Sequence, residues 1–124
     1  MILNDPQTIS DVTEIVKAYD KALVDNDLEA INQFFLDSDD IVRYGPDENL
    51  YGSKAIAAFR ASRPAGPKPR NVTAIHVITT GKDHAVAHTE FLIPGSDKLG
   101  RQTQCWSRFP DGWKIIGAHV SYKS

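Results

Sequence analysis

The fold of this chain is decided by residues 101–122, which read RQTQCWSRFPDGWKIIGAHVSY. Residues 101–109 and 113–122 are both rich in β-branched and aromatic side chains, which favour β-strands. Pro110-Asp111-Gly112 between them is a turn signal. Because neighbouring parallel strands need a long crossover, this short connection predicts an antiparallel hairpin.

Two further strands are predicted upstream, at residues 72–80 and 85–93. They are separated by Gly81-Lys82-Asp83, and residues 94–100 lead on to the hairpin, so the four strands form an antiparallel meander. Two shorter strands are expected earlier, in the run 41–45 and at residues 48–51, with a turn at Gly45-Pro46-Asp47.

The first third of the chain predicts helices, because its apolar residues recur at the i, i+3, i+4, i+7 spacing of one helical face. We expect a first helix that starts at Asn4 or Asp5 before Pro6, and a short second helix capped by Asn26-Asp27. A third helix is expected over residues 54–63, with Ser53 as its N-cap. The apolar residues of the first helix are Ile9, Val12, Ile15, Val16, Tyr19, Leu23 and Val24.

Helices followed by strands predict an α+β fold in which N-terminal helices pack on a curved antiparallel β-sheet. At 124 residues the chain is expected to form a single domain, residues 1–124. Helices laid across a curved sheet leave one concave end open, and such an end suits a small-molecule pocket better than a flat interaction surface.

Composition excludes several classes of protein. The net charge of -2 and the lack of a basic cluster argue against nucleic-acid binding. The single cysteine, Cys105, cannot form an internal disulfide, and its position on the strand predicts a core thiol. Residues 1–6 have no basic n-region, and no window approaches the roughly 18 apolar residues of a membrane span. We therefore expect a cytoplasmic protein that does not contact a membrane.

Arg43 is the most informative single residue, because it lies in the run Ile41-Val42-Arg43-Tyr44-Gly45, which otherwise predicts a buried strand. A guanidinium there is costly unless an anion meets it. Two alternatives are open: Arg43 points outward from an edge strand to a surface carboxylate, or it clamps a carboxylate carried by a ligand.

Tyr19 lies on the apolar face of the first helix and also allows two interpretations. It is either a core tyrosine whose hydroxyl bonds a backbone carbonyl, or a donor and proton carrier that projects into the pocket. Arg60 and Arg63, near the end of the third helix, are either surface charges or lie at the pocket rim, and the rim is favoured because Phe59 and Pro64 anchor that end inward.

A polar pocket wall is predicted on the C-terminal hairpin. If Asp111-Gly112 is a two-residue turn, Gln104 lies opposite His119, and Gln102 and Trp106 share their face. A one-residue bulge would reverse this parity. The four histidines show no metal-ligand spacing, so no metal site is expected.

Five segments carry a resemblance to a known family: residues 42–45 (VRYG), 48–52 (ENLYG), 58–64 (AFRASRP), 89–91 (TEF) and 100–106 (GRQTQCW). They are similar to the AtzH-like family, which includes the AtzH and HpxZ types, and the similarity covers nearly the whole chain. The order of the elements resembles the wider NTF2-like superfamily (SnoaL-like, ketosteroid-isomerase-like), whose helices and curved sheet form a cone.

The resemblance implies the breakdown of small carboxylated ureas without a cofactor. AtzH-type members hydrolyse an amide bond of 1,3-dicarboxyurea in cyanuric acid catabolism, with loss of carbon dioxide to give allophanate, whereas HpxZ-type members accompany oxalurate catabolism. The family's catalytic pair, a tyrosine of the first helix and the arginine before Tyr-Gly, falls on Tyr19 and Arg43. We expect Gln104, Trp106 and His119 in the pocket wall, Tyr44, Asn49 and Tyr51 near its mouth, and Arg63 at its rim.

Superfamily resemblance also implies a homodimer formed through the outer face of the sheet, and an amidase of the same pathway is a conceivable partner. Ketosteroid isomerases resemble this chain at Tyr19, but their general base is an aspartate near the position of Arg43. An arginine cannot serve as that base at neutral pH, so steroid isomerisation is disfavoured. The competing hypothesis is a non-enzymatic protein that binds a small molecule or accompanies the pathway.

Overall fold

The computed structural model describes residues 1–124 and consists of three helices and six strands. This confirms the predicted α+β fold. Every long element lies within two residues of its predicted bounds, since caps and turn residues marked most of the ends. The elements are α1 (Pro6–Asp25), α2 (Leu28–Phe34), β1 (Val42–Tyr44), β2 (Asn49–Tyr51), α3 (Ser53–Ser62), β3 (Asn71–Thr80), β4 (His84–Leu92), β5 (Leu99–Phe109) and β6 (Gly112–Lys123).

The six strands form one sheet in the order β2-β1-β6-β5-β4-β3. All neighbouring pairs are antiparallel except β1 and β6, which run parallel. The helices pack on one face, the inner face, where Val12, Val16 and Tyr19 of α1 meet Trp106 and Ile115 in the hydrophobic core. None of the helices is long and apolar enough to cross a membrane.

The helix ends show why the chain turns where it does. The Asp5 carboxylate accepts hydrogen bonds from the backbone N–H and the hydroxyl of Thr8, and Asp27 caps α2 through the N–H of Ala30. Our prediction for the third helix is wrong in detail, because its N-cap is Gly52 with φ +88° and not Ser53. Ser53 is the first helical residue, and its hydroxyl donates to Asp37.

The register of the C-terminal hairpin differs from the prediction. Phe109 pairs with Gly112, so the two-residue turn is Pro110-Asp111. Ile116 is then bulged out of the ladder, since Trp106 pairs with Ile115 and Cys105 with Gly117. Together the two differences shift the pairing by one residue: Gln104 lies opposite Ala118, and His119 lies opposite Thr103.

This shift sends Gln104 and His119 to opposite faces of the sheet. Cys105 lies on the outer face and is half-buried, so the prediction of a core thiol is also wrong. All the histidines of the chain lie exposed on that outer face: His76, His84, His88 and His119.

Candidate functional site

A cavity of about 330 Å³ opens at the end of the cone beside the C-terminal parts of α1 and α3. Its walls include four arginines and one lysine, and no aspartate or glutamate lines it. A cavity of this size is appropriate for a small molecule. The cationic residues are Arg43, Arg60, Arg63, Lys68 and Arg70.

Arg43 reaches this cavity because it alternates with Tyr44 along β1 and therefore faces inward. The residue is only 7% exposed, and its Nη1 lies 3.0 Å from Oε1 of Glu48. Its guanidinium carbon is 5.7 Å from the centre of the Phe59 ring. The anion that meets Arg43 in the protein is thus Glu48, while part of the guanidinium remains available to a ligand.

Gly45 makes the contact between Arg43 and Glu48 possible. A Cβ atom added to Gly45 would overlap the carboxylate of Glu48. The second oxygen of that carboxylate accepts a hydrogen bond from the N–H of Asp47. The glycine of the Arg43-Tyr44-Gly45 run therefore leaves space for the carboxylate that orients Arg43.

Tyr19 fits neither of its two predicted interpretations in full. Its ring is buried in the core, 2% exposed, with edge contacts to Phe34 and Phe35. Its hydroxyl accepts a 2.9 Å hydrogen bond from Nη2 of Arg60, which lines the cavity. Tyr19 is therefore connected to the cavity through Arg60 and does not line the wall itself.

The environment of Arg60 is electrostatically unfavourable for a cation. Burial lowers the pKa of Arg60, Tyr19 opposes this effect, and the nearby Arg43, Arg63 and Arg70 add to it. Its Nε is buried and has no hydrogen-bond partner. An anion in the cavity would offset the repulsion between Arg60 and its neighbouring arginines and would give its Nε an acceptor.

Arg70 is held more firmly than any other arginine of the cavity. Its Nε lies 2.6 Å from Oδ1 of Asp20, its Nη1 donates to Oε1 of Gln102 at 3.3 Å, and its guanidinium lies 4.3 Å from the centre of the Phe91 ring. Its Nη2 is buried without a partner. Arg70 was not predicted as a site residue, because it follows the proline-rich loop 64–69 and directly precedes a strand; its one signal in the sequence is the density of arginines between residues 43 and 70.

The proposed wall residues of the hairpin are divided between two places. Gln104 and Trp106 lie on the inner face, both fully buried, and Gln104 Oε1 and Trp106 Nε1 have no hydrogen-bond partner. Neither residue lines the cavity. Gln102, two residues earlier on the same face, does line it.

The remaining expected site residues need correction, except Arg63, which does line the cavity. His119 lies exposed on the outer face with its ring 5.6 Å from that of Tyr44, because the bulge at Ile116 reverses its side. Tyr44, Asn49 and Tyr51 are also exposed on the outer face, because Arg43 and its partner Leu50 occupy the inner positions of β1 and β2. None of these four residues belongs to the cavity.

A larger groove of about 530 Å³ lies elsewhere, between α2, α3 and the β5–β6 turn. Its charged residues are mixed in sign, with Glu29, Asp37 and Asp111 beside Lys54 and Lys114. It contains neither Tyr19 nor any of the arginines, so size alone does not identify the candidate site.

A cone of helices and curved sheet with a ligand-sized cavity at its open end defines a domain of the NTF2-like class. An NTF2-like superfamily protein from Salmonella enterica superposes with a TM-score of 0.79 at 20% identity, over 95% of this chain and 92% of that one. At this identity the likeness establishes the fold.

The chain belongs to the AtzH-like family, whose family model matches residues 1–124. A DUF3225-family protein of unknown function from Pectobacterium atrosepticum is 43% identical, with a TM-score of 0.94 over 98% of this chain and 95% of that one. A cystatin-like fold protein from Burkholderia xenovorans is 41% identical, with a TM-score of 0.94 over 100% and 98%. No curated protein matches the chain.

Proposed function

We propose that this protein is a cofactor-free decarboxylating amidohydrolase that acts on a carboxylated urea resembling 1,3-dicarboxyurea, in cyanuric acid or oxalurate-type nitrogen catabolism. The observation that carries this proposal is the cavity that is lined by four arginines and by no carboxylate. Such a cavity attracts a small carboxylate-bearing ligand and repels a cationic one.

Arg43 and Arg60 have the central electrostatic role in the proposed reaction. Arg43, oriented by Glu48, would bind a terminal carboxylate of the substrate and stabilise negative charge that develops on the adjacent carbonyl oxygen. Arg60 would bind the same region from the side of α3, and its hydrogen bond connects that region to the Tyr19 hydroxyl.

Tyr19 is the proposed proton carrier. In the reaction, the bond between a terminal carboxyl carbon and a urea nitrogen breaks, the nitrogen takes up a proton, and the carboxyl carbon leaves as carbon dioxide, or as bicarbonate when water adds to it. Because Arg60 donates to the Tyr19 oxygen, the hydroxyl proton of Tyr19 is free to move toward another acceptor.

Ligand binding without turnover is the second candidate function, and one observation favours it. Tyr19 is only 2% exposed and does not line the cavity, and its hydroxyl is hydrogen-bonded to Arg60, which does. A binding or accessory protein of an amidase pathway would need the arginines but not the tyrosine.

The test is to supply freshly prepared 1,3-dicarboxyurea and follow its loss with the wild type, Arg43→Met and Tyr19→Phe. Arg101→Met, which removes an exposed positive charge from the outer face, is the matched control. We expect both site variants to be slower by about 100-fold or more and the control to match the wild type. If the wild type binds the substrate but consumes none of it, the binding role replaces the enzymatic one.

We also propose a homodimer in which two copies meet through the outer faces of their sheets. That face has no helix over it and exposes several large apolar side chains, among them Ile78 and Leu92. Across its middle, exposed His76, His88 and His119 form a row with Thr103 and Tyr44, whose cross-strand pairing places one residue on each successive strand.

A further inference from the structure

Gln102 and Arg70 carry two buried hydrogen-bond donors that have no acceptor. Nε2 of Gln102 and Nη2 of Arg70 are unpartnered, and Gln102 is only 3% exposed. Both residues line the arginine-rich cavity. Donors removed from water without an acceptor are costly, so their presence side by side in a cavity wall indicates a place for a ligand oxygen.

The remaining contacts of the two residues show that both unpartnered groups are donors. The Gln102 carbonyl oxygen accepts from Nη1 of Arg70, and Nε of Arg70 bonds Asp20. The Gln102 carbonyl oxygen therefore has its donor within the protein, and the two groups left without a partner are both N–H donors. The Phe91 ring, packed against the Arg70 guanidinium, limits its movement further.

This donor pair is separate from the Arg43 end of the cavity. Arg43 lies on β1 and Gln102 on β5, with β6 between them. Two strand spacings separate them by about 10 Å across the sheet, and Gln102 also lies two residues further along, since Arg43 pairs with Ala118 and Gln102 with Val120. Val120 of β6, which pairs with Gln102, lines the cavity between the two ends.

We propose that Arg70 and Gln102 form a second anion-binding subsite that takes the distal carboxylate of a linear dianion whose proximal carboxylate lies at Arg43. Two carboxylate oxygens match two adjacent donors, and Asp20 alone offsets the charge of Arg70 from the side away from the cavity. The assignment of the proximal end rests on the proposed function. The subsite makes the protein selective for substrates with an anionic group at both ends.

The test uses glutarate, a stable dianion with three atoms between its carboxylates, and glutaramate, its monoanionic amide of the same shape. Isothermal titration of the intact protein gives both affinities without any turnover. We expect the wild type to bind glutarate about tenfold or more tightly than glutaramate, as an additional charge-assisted pair would give. Equal affinity of the wild type for both ligands would overturn the subsite.

Variants of Gln102 and Arg70 then test whether these two residues cause the preference for glutarate over glutaramate. Gln102→Glu places a carboxylate beside Arg70 and is expected to abolish the preference, while Gln102→Met is expected to reduce it. Arg70→Met is made together with Asp20→Asn, so that no unpaired carboxylate is left, and Asp20→Asn alone and Arg101→Met are the controls. A glutarate preference that survives in all three Gln102 and Arg70 variants would overturn the assignment.

Failure of this inference can be distinguished from failure of the proposed function. A glutarate preference that depends on Arg70 and Gln102, in a protein that leaves 1,3-dicarboxyurea intact, supports the subsite and rejects the enzymatic role. Turnover of 1,3-dicarboxyurea with an unchanged KM in Gln102→Glu supports the enzyme and rejects the subsite.

Discussion

Arg60 donates a 2.9 Å hydrogen bond to the hydroxyl of Tyr19, and this bond is the link between the buried core of the cone and its charged cavity. It joins the first helix to the third, across 41 residues of sequence. When Tyr19 gives its proton to a ligand, the negatively charged phenolate oxygen that is left is hydrogen-bonded to the Arg60 cation. The two residues are therefore expected to act as one unit.

A double-mutant cycle tests this coupling. Tyr19→Phe and Arg60→Met are each expected to lower kcat about 100-fold, and the double variant should be no more than roughly threefold slower than either one. Independent effects that multiply would contradict the coupling. Arg63→Met, directly after the same helix and without a hydrogen bond to Tyr19, is the matched comparison and should raise KM more than it lowers kcat.

Gly45→Ala is expected to damage binding with little loss of stability. The added methyl group meets the flexible end of Glu48, so that carboxylate moves and Arg43 loses its orientation. We expect the affinity for glutarate to fall about tenfold, since a positioned charge-assisted contact is lost. Gly117→Ala is the control, because its Cβ would meet only the Val42 carbonyl oxygen at 3.8 Å. A large drop in Tm for Gly45→Ala would show that the strain is borne by the backbone instead.

Gly100→Ala should destabilise the protein and weaken ligand binding together. A Cβ there would overlap the ring of Phe91, which is buried and packed on Arg70. Overpacking of this kind costs about 1–3 kcal/mol, measurable as a lower midpoint of urea unfolding. Adding Phe91→Leu provides space and should restore most of the stability but not the glutarate affinity. Full recovery of binding would argue against a role for Phe91 in holding Arg70.

Asp5 gives the first helix a pH-dependent contribution. The hydrogen bond from the Thr8 hydroxyl, followed by that from the Thr8 N–H, lowers the pKa of Asp5 below its ordinary value of 3.8. A lowered carboxyl pKa stabilises the folded state above the unfolded value, and this stabilisation is lost as the pH falls through the folded one. Asp5→Ala should thus reduce Tm by a few degrees at pH 7, and the difference should shrink as the pH falls below 3.8 and through the lowered pKa of Asp5. Asp5→Asn keeps a capping side chain but has no carboxyl group to titrate, so its Tm difference from Asp5→Ala should not change over the same pH range.

Ile78→Lys tests the proposed dimer. This change places a charge on an exposed apolar position of the outer face, where two sheets would meet. We expect light scattering to report a dimer for the wild type and a monomer for the variant, with glutarate affinity unchanged. Ile2→Lys, an exposed apolar residue outside the sheet, is the control. A monomeric wild type at micromolar concentration would reject the proposal.

The fold could be predicted because its signals are local. Pro6 and Asp27 marked helix starts through chemistry that involves only their neighbours, and alternating strands separated by short turns imposed the meander. The bulge could not be predicted, because Ile115, Ile116 and Gly117 offer no local preference for which residue leaves the ladder. That choice depends on packing against the helices, and it determined the side on which His119 lies.

Only part of the candidate site could be predicted from the sequence, for a related reason. Arg43 was conspicuous as a charge in an apolar run, but Arg70 follows a loop where a charge is ordinary. Its significance comes from Asp20, Gln102 and Phe91, which are between 21 and 50 positions away in sequence. Tyr44 was predicted to lie near the pocket mouth, although side chains alternate along a strand and Arg43, its neighbour, faces inward. Strand alternation alone would have predicted correctly that Tyr44 lies on the outer face.

The segregation of every histidine to the outer face has a consequence for how the cavity responds to its surroundings. Imidazole is the side chain whose charge ordinarily changes between about pH 5 and pH 8, whereas the positive charges that line the cavity are guanidinium and ammonium groups. Its positive potential is accordingly constant across the physiological range. Acidification would act on binding through the ionisation of the ligand, and ionic strength would act through screening. If the cavity binds the proposed anion, its occupancy would therefore follow the chemical state of the ligand and not that of the protein.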